Sequence, residues 1–303
     1  MKNSRNIALF SIFCFSFMTS CEMDLFDGED DDVNLVAKFN ESIGPIVVDE
    51  IVNGNWNGAN HIQGICFERN TLFISSTKQL ITYSMDKEEV ITEQRCYEFL
   101  GEECKAFHYG DPAFYEDDLW VPLSTAKTWK RDYNCAENKL LKFEGGIIEG
   151  VDKPTFYLLD FPGHIGAVEL LNGKVYVAGK YINNDWPHDD NCHEEQIIYI
   201  YTIEDLKENE CNVHQDVLRF EAHGRNGIQN LAVFDQGNLL VTAYKCEDDP
   251  DNYVYVLNIE TGTHSLYRKE NWGYGVAKND NGMLYFCEDN RNTSTIMIYA
   301  ISP

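Results

Sequence analysis

Basic residues are scarce in this sequence. Its 303 residues include 24 Lys and Arg against 50 Asp and Glu, a formal charge of -26 at pH 7. Such a surface repels phosphate backbones and anionic headgroups, which argues against nucleic acid as a partner. No CxxC occurs among the 10 cysteines, so zinc ribbons and thioredoxin-like sites are disfavoured. The uncharged stretch Ile7–Met18 is too short to span a bilayer. EF-hand spacing is missing as well. The acidic clusters at 185–195 and 247–251 lack alternating ligands around a central glycine, and read as solvated loops. What is present excludes wholesale disorder: 44% of residues are hydrophobic and 13% aromatic, enough for a sizeable core.

Lys2 and Arg5 precede the apolar stretch, which gives residues 1–20 the anatomy of a signal peptide. Met18-Thr19-Ser20-Cys21 resembles a bacterial lipobox, and the acidic segment Glu22–Asp32 contains no base. Together they resemble the leader of Bacteroidota surface lipoproteins. The resemblance implies a palmitate-bearing Cys21, a flexible acidic tether over 21–34, and an outer-membrane protein facing the exterior. Contact with the membrane would run through the lipid alone. Ordinary secretion with an acidic leader is the alternative reading.

Apart from Cys14 and Cys21, the cysteines are Cys66, Cys96, Cys104, Cys135, Cys192, Cys211, Cys246 and Cys287. An even set in an oxidising compartment points to disulfides. At least one disulfide is expected to staple a loop: Cys96–Cys104, which closes a short loop, or Cys135–Cys192, which joins long ones.

From residue 61 onward one pattern recurs. A short apolar strand, a Gly/Asn/Asp turn and an alternating strand appear around Ile65, Ala113, Val168, Leu231 and Val276. After each hairpin comes a third strand with an aromatic residue, at 80–83, 139–143, 197–201, 253–257 and 296–299. A more polar fourth strand follows in the first four units, around 91–99, 155–159, 217–220 and 264–267. Four antiparallel strands per repeat resemble β-propeller blades. The fifth unit stops after its third strand, while 35–39 and 46–51 read as surplus strands before the first. The expectation is an all-β, monomeric, five-bladed propeller over 35–303, its ring closed by an N-terminal strand completing the last blade. WD dipeptides and sialidase and kelch motifs are absent, so the resemblance is to propellers in general.

In such a fold the long polar connections at 124–138, 180–195, 245–252 and 288–295 share one face with the links between blades. That face would carry His61, His108 and His164, which stand at matching places before inner strands. Three converging imidazoles would suit a divalent metal or acid–base chemistry; equally, each could cap its own blade. Asp111 and Glu169 are the acids nearest the axis, and a flanking pair of carboxylates is what glycoside hydrolysis requires. An Asp in a turn is also a common acceptor of backbone N–H bonds. Trp129, Trp186 and Trp272 fall in long connections or blade links, where exposed rings beside Asn and Asp suit a sugar. The reading that follows is a non-enzymatic binding module for a neutral glycan. A metal-assisted lyase or hydrolase and a protein-binding scaffold in a surface uptake complex are the alternatives.

Overall fold

The computed structural model describes residues 38–47, 62–77, 79–87, 89–95, 107–125, 135–148, 154–181, 193–223, 227–243, 252–270, 275–290 and 295–302, all within one unit spanning Asp32–Pro303. The leader, Cys21 and the tether lie outside them. No described helix is long and apolar enough to cross a membrane.

An N-terminal strand β1 (Lys38–Val47) is followed by β2 (Ile62–Glu68), β3 (Thr71–Ser76), β4 (Gln79–Ser84) and β5 (Glu89–Arg95). Next come β6 (Phe107–Tyr109), β7 (Ala113–Tyr115), β8 (Asp118–Thr125), β9 (Asn138–Phe143) and β10 (Thr155–Leu159). β11 (Gly163–Leu171), β12 (Lys174–Tyr181), β13 (His193–Thr202), β14 (Cys211–Asn212) and β15 (Asp216–His223) make up the third group. The fourth holds β16 (Ile228–Asp235), β17 (Asn238–Ala243), β18 (Asn252–Asn258) and β19 (His264–Glu270), and the last holds β20 (Val276–Lys278), β21 (Leu284–Asn290) and β22 (Thr295–Ser302).

These strands form antiparallel sheets in a β-propeller arrangement. Four sheets have four strands, in the orders β2-β3-β4-β5, β11-β12-β13-β15, β16-β17-β18-β19 and β1-β22-β21-β20. The remaining sheet has six, which corrects the expectation of uniform four-stranded blades. Its inner strand is broken at Gly110-Asp111-Pro112 into β6 and β7, both of which pair with β8. Proline has no N–H for the ladder, and Asp111 turns aside to bridge Ala167 of the next sheet. On the outer edge the sheet gains β14, which runs parallel to β10.

β1 pairs antiparallel with β22 over Lys38–Val47, one strand where the sequence suggested two. The ladder slips between Ile43 and Ile46, so Pro45 falls in an irregularity of an edge strand, where its missing donor is harmless.

Alternation sets the packing. Inner strands such as β2, with Ile62 to Cys66 buried in succession, sit between neighbours on both faces. Each hydrophobic cluster joins two sheets. Ile65 and Ile74 meet Ala277 and Cys287; Phe73 and Leu80 meet Leu119 and Val121; Trp120 and Leu140 meet Val168 and Val177. Tyr176 and Ile198 meet Leu231 and Val241, and Leu240 and Val254 meet Leu284 and Phe286. Asn172 and Gly173 both have positive φ, 54 and 74, the backbone of a tight hairpin turn that asparagine and glycine tolerate. Glu116 and Asp117 take the same backbone, φ 49 and 68, without a glycine.

Cys135 does form a disulfide, but with Cys211 rather than Cys192, at a Cα–Cα distance of 5.7 Å. The reason is β14, which carries Cys211 from the β13–β15 connection onto the edge of the neighbouring sheet, beside the residues leading into β9. Asn212 fixes that connection by donating to Leu158 O, Lys207 O and Glu210 O. Asp160 then accepts from Tyr201 Oη at 2.8 Å and meets His214 Nδ1 at 2.8 Å. Cys96, Cys104 and Cys192 lie outside the described residues. Cys66 is a buried free thiol, and Cys287 is buried.

Candidate functional site

The inner strands place polar side chains on the axis, where they bond from sheet to sheet. Asp111 is fully buried, and its carboxylate accepts from Ile65 N at 3.1 Å and from Leu231 N at 3.0 Å. Its backbone reaches a further sheet, donating to Gly166 O at 2.7 Å and accepting from Val168 N at 3.2 Å. One residue thereby ties four sheets together. Burial pushes its carboxyl well above the ordinary range, and the bonds from Leu231, Asn230 and Ile65 pull against that. Gly64 makes room for it, because a Cβ there would collide with Asp111 Oδ1.

A second polar layer lies toward the starts of the inner strands. Gln229 Nε2 donates to Gln63 Oε1 at 3.0 Å, and Asn230 Nδ2 donates to Gln63 O at 2.8 Å. Thr242 Oγ1 in turn donates to Asn230 Oδ1 at 2.8 Å, and Ser75 Oγ to Gly110 O at 2.7 Å. These buried side chains fill the axis, so satisfied polar bonds hold the sheets in register there.

At the ends of the inner strands that carry the short turns, the axis opens into a cavity of about 340 Å³. All five sheets line it. Ile65, Cys66 and Phe67 come from β2; Phe114 and Tyr115 from β7; Glu169 and Leu171 from β11; Leu231 and Val233 from β16; Val276 and Lys278 from β20. Its deep wall is buried, and its rim reaches the exposed Asp280. Ile65 and Leu231, which bond Asp111, also line the cavity, so Asp111 sits behind its inner end.

Glu169 is the acid on that wall. Oε1 accepts from Leu170 N at 2.8 Å and Oε2 from Val233 N at 3.0 Å. Burial raises its carboxyl to about 8, with those two bonds opposing the rise, so it is mostly protonated at neutral pH. Cys66 is pushed up by burial, with Asp111, Glu169 and Glu68 adding to the effect, which holds it as a thiol. Lys278 Nζ donates to Phe234 O.

At the opposite end, β6 and β11 bring His108 and His164 together, ring centroids 4.8 Å apart and edge to face. His164 is buried; desolvation and then Lys180 lower it to about 3, so it is neutral across the physiological range. His61, Trp129, Trp186 and Trp272 lie outside the described residues. Among the described residues no group of three or more His, Cys, Asp or Glu is placed to hold a metal ion.

The structure thus separates the sequence candidates. His108 and His164 meet, Asp111 bridges sheets, and Glu169 faces a cavity at the turn end. Sequence reading missed Gln63, Gln229 and Asn230 on the axis, and Phe67, Phe114, Tyr115 and Lys278 around the cavity. Their signal was available in outline: each stands beside an inner-strand turn or at an inner-strand start.

No protein-family model matches the sequence, and no curated protein matches it. Similar solved structures include a luciferin-regenerating enzyme, 10% identical over 86% of this chain and 96% of that one, with a TM-score of 0.47. The WD40 repeats of RRP9 are 8% identical over 88% of this chain and 100% of that one, at 0.46. The β-propeller domain of Cps50 (Swd1) from Myceliophteria thermophila is 10% identical over the same two shares, at 0.40. Likeness at this level concerns the fold and says nothing of a ligand.

Proposed function

We propose that this chain is a non-enzymatic binding module on a closed five-bladed propeller, with the axial cavity as its ligand site. The observation that carries the reading is the cavity itself, to which every inner strand contributes and in which aromatic rings stand beside a few polar groups. Closure of the ring is supported by the hydrophobic clusters, each shared by two neighbouring sheets, and by the pairing of β1 with β22. The ligand is a neutral glycan end, one ring of which the cavity would take against Phe67, Phe114 or Tyr115. The net charge of -26 disfavours sulfated and uronic-acid polymers. On the leader's resemblance, the protein presents this site at the outer-membrane surface as a monomer tethered through Cys21.

A binding role is favoured over a catalytic one by the state of the reactive groups. Asp111 spends both oxygens on backbone N–H groups, and Cys66 is held away from its thiolate. Calorimetric titration with neutral mono- and disaccharides tests the reading. Leu171→Trp, which fills the cavity's rim, should weaken binding at least tenfold while thermal unfolding stays cooperative. Sugar binding untouched by that variant would move the site elsewhere; a flat response across neutral sugars would reject the ligand class. Labelling of intact cells with a membrane-impermeant reagent tests the location, which protection until lysis would refute.

A further inference from the structure

We propose that the axial cavity selects a small organic cation, its ammonium group held between the Glu169 carboxylate and the rings of Phe67, Phe114 and Tyr115. The inference rests on the reading of that cavity as a ligand site, and it names a second ligand class, cationic rather than neutral, that the same site would take.

Glu169 has an acceptor surplus. Each carboxylate oxygen offers two lone pairs, and each receives one backbone N–H, from Leu170 and Val233. Among the described residues no Lys, Arg or His forms an ion pair with it. Lys278, the basic side chain among the lining residues, donates to Phe234 O instead. A half-buried acid without a countercharge is costly to ionise, and a cationic ligand removes that cost.

The walls decide which cation. A calcium ion demands six to eight oxygen ligands, whereas Ile65, Leu170, Leu231 and Val276 supply none through their side chains. Aromatic rings beside one carboxylate suit an alkylated ammonium, whose charge is spread and weakly hydrated; Phe114 is stacked on Phe73 and Phe67 lies against Tyr285, so the cation would meet the ring surface those contacts leave. The acidic surface of the whole chain adds long-range attraction for cations.

Protons must balance. Cys66 on β2, Tyr115 on β7, Asp111 behind the cavity, and Lys278 and Asp280 at β20 and its turn are the other titratable groups around Glu169. With Glu169 raised to about 8, taking up a cation at pH 7 requires its proton to leave for solvent. Affinity should therefore rise about tenfold from pH 6 to pH 7 and level off above pH 8.

The test is calorimetric titration of the folded chain with choline and with its uncharged isostere, 3,3-dimethylbutan-1-ol. Choline is expected to bind at least tenfold more tightly at pH 8. At pH 7 its heat should depend on the buffer's ionisation enthalpy, reporting close to one proton released. E169Q should erase the preference, and Leu171→Trp should weaken both ligands. Equal binding of the two probes overturns the inference and leaves the cavity as a ligand site. So does neutral-sugar binding at the cavity with no response to choline. Failure of sugars and both probes alike overturns this inference and the binding reading together. Choline binding that E169Q and Leu171→Trp leave unchanged places the cation elsewhere and also refutes the proposal. Should E169Q not fold, the wild-type preference, pH slope and proton release decide the matter.

Discussion

The two ends of the axis solve opposite problems with the same means. At the turn end Glu169 faces a cavity and keeps its proton; at the other end His164 is packed against His108 and has lost its own. Burial imposes neutrality in both cases, because desolvation disfavours whichever form is charged. The difference lies in space: Glu169 has a cavity before it that a ligand could fill, while His164 is packed among protein. Between them Asp111 and the Gln63–Gln229–Asn230 layer seal the axis. The comparison teaches that an acid near the axis is not one kind of feature. Both acids accept two backbone N–H bonds, but Asp111 is wholly buried, whereas Glu169 is half-buried and lines the cavity.

The largest effect should come from breaking the seal. Asp111→Ala strands the buried N–H groups of Ile65 and Leu231, at about 1–3 kcal/mol each, and should lower stability by about 2–6 kcal/mol in urea unfolding. A loss below 0.5 kcal/mol would show that the seal contributes little. Cys135→Ser removes a bond closing 76 residues and should cost about 2–4 kcal/mol, with ligand binding in the cavity unchanged. Altered binding in a folded Cys135→Ser protein would tie the outer edge to the cavity and blur the distinction between them.

The two ends should also part company in their response to pH. Glu169 is raised from 4.5 to about 8, so its folded state binds more protons and stability falls as pH rises between those values. His164 is lowered from 6.5 to about 3, so its contribution is complete above 6.5 and is lost as pH falls toward 3. Between pH 4.5 and 6.5 the Glu169 and His164 slopes oppose each other, and the raised Asp111 carboxyl adds to the fall with rising pH. Thermal midpoints should drop by about 2–4 °C between pH 6.5 and 8, and E169Q should reduce that drop. A midpoint that climbs over this interval in the wild type and not in E169Q would reverse the assignment. The smallest effect concerns the strained turn beside Tyr115. Glu116→Asn with Asp117→Gly suits the positive φ of both positions and should stabilise by about 0.5–1 kcal/mol in urea unfolding, with sugar affinity unchanged.

The sheets were legible because each hairpin announces itself locally. Asn172-Gly173 marks a turn, and alternation from Val175 to Val177 marks a strand with one buried face. The sixfold sheet was not, since Cys211 follows Lys207-Glu208-Asn209-Glu210, a polar stretch with no strand signal of its own. The break at Gly110-Asp111-Pro112 carried its punctuation openly, but the partners of Asp111 lie 46 and 120 residues away. The cavity shared that difficulty. Phe67, Phe114 and Tyr115 look like ordinary strand ends until the packing of the sheets brings them to one cavity with Glu169.

One measurement separates the two ends most directly. In methyl-labelled protein titrated with choline, Ile65, Leu170, Leu231, Val233 and Val276 should shift with the ligand. Ile62, Ile165 and Ile228, at the starts of their inner strands, should stay in place. Shifts confined to those three, with the cavity methyls unmoved, would contradict a ligand site at the turn end.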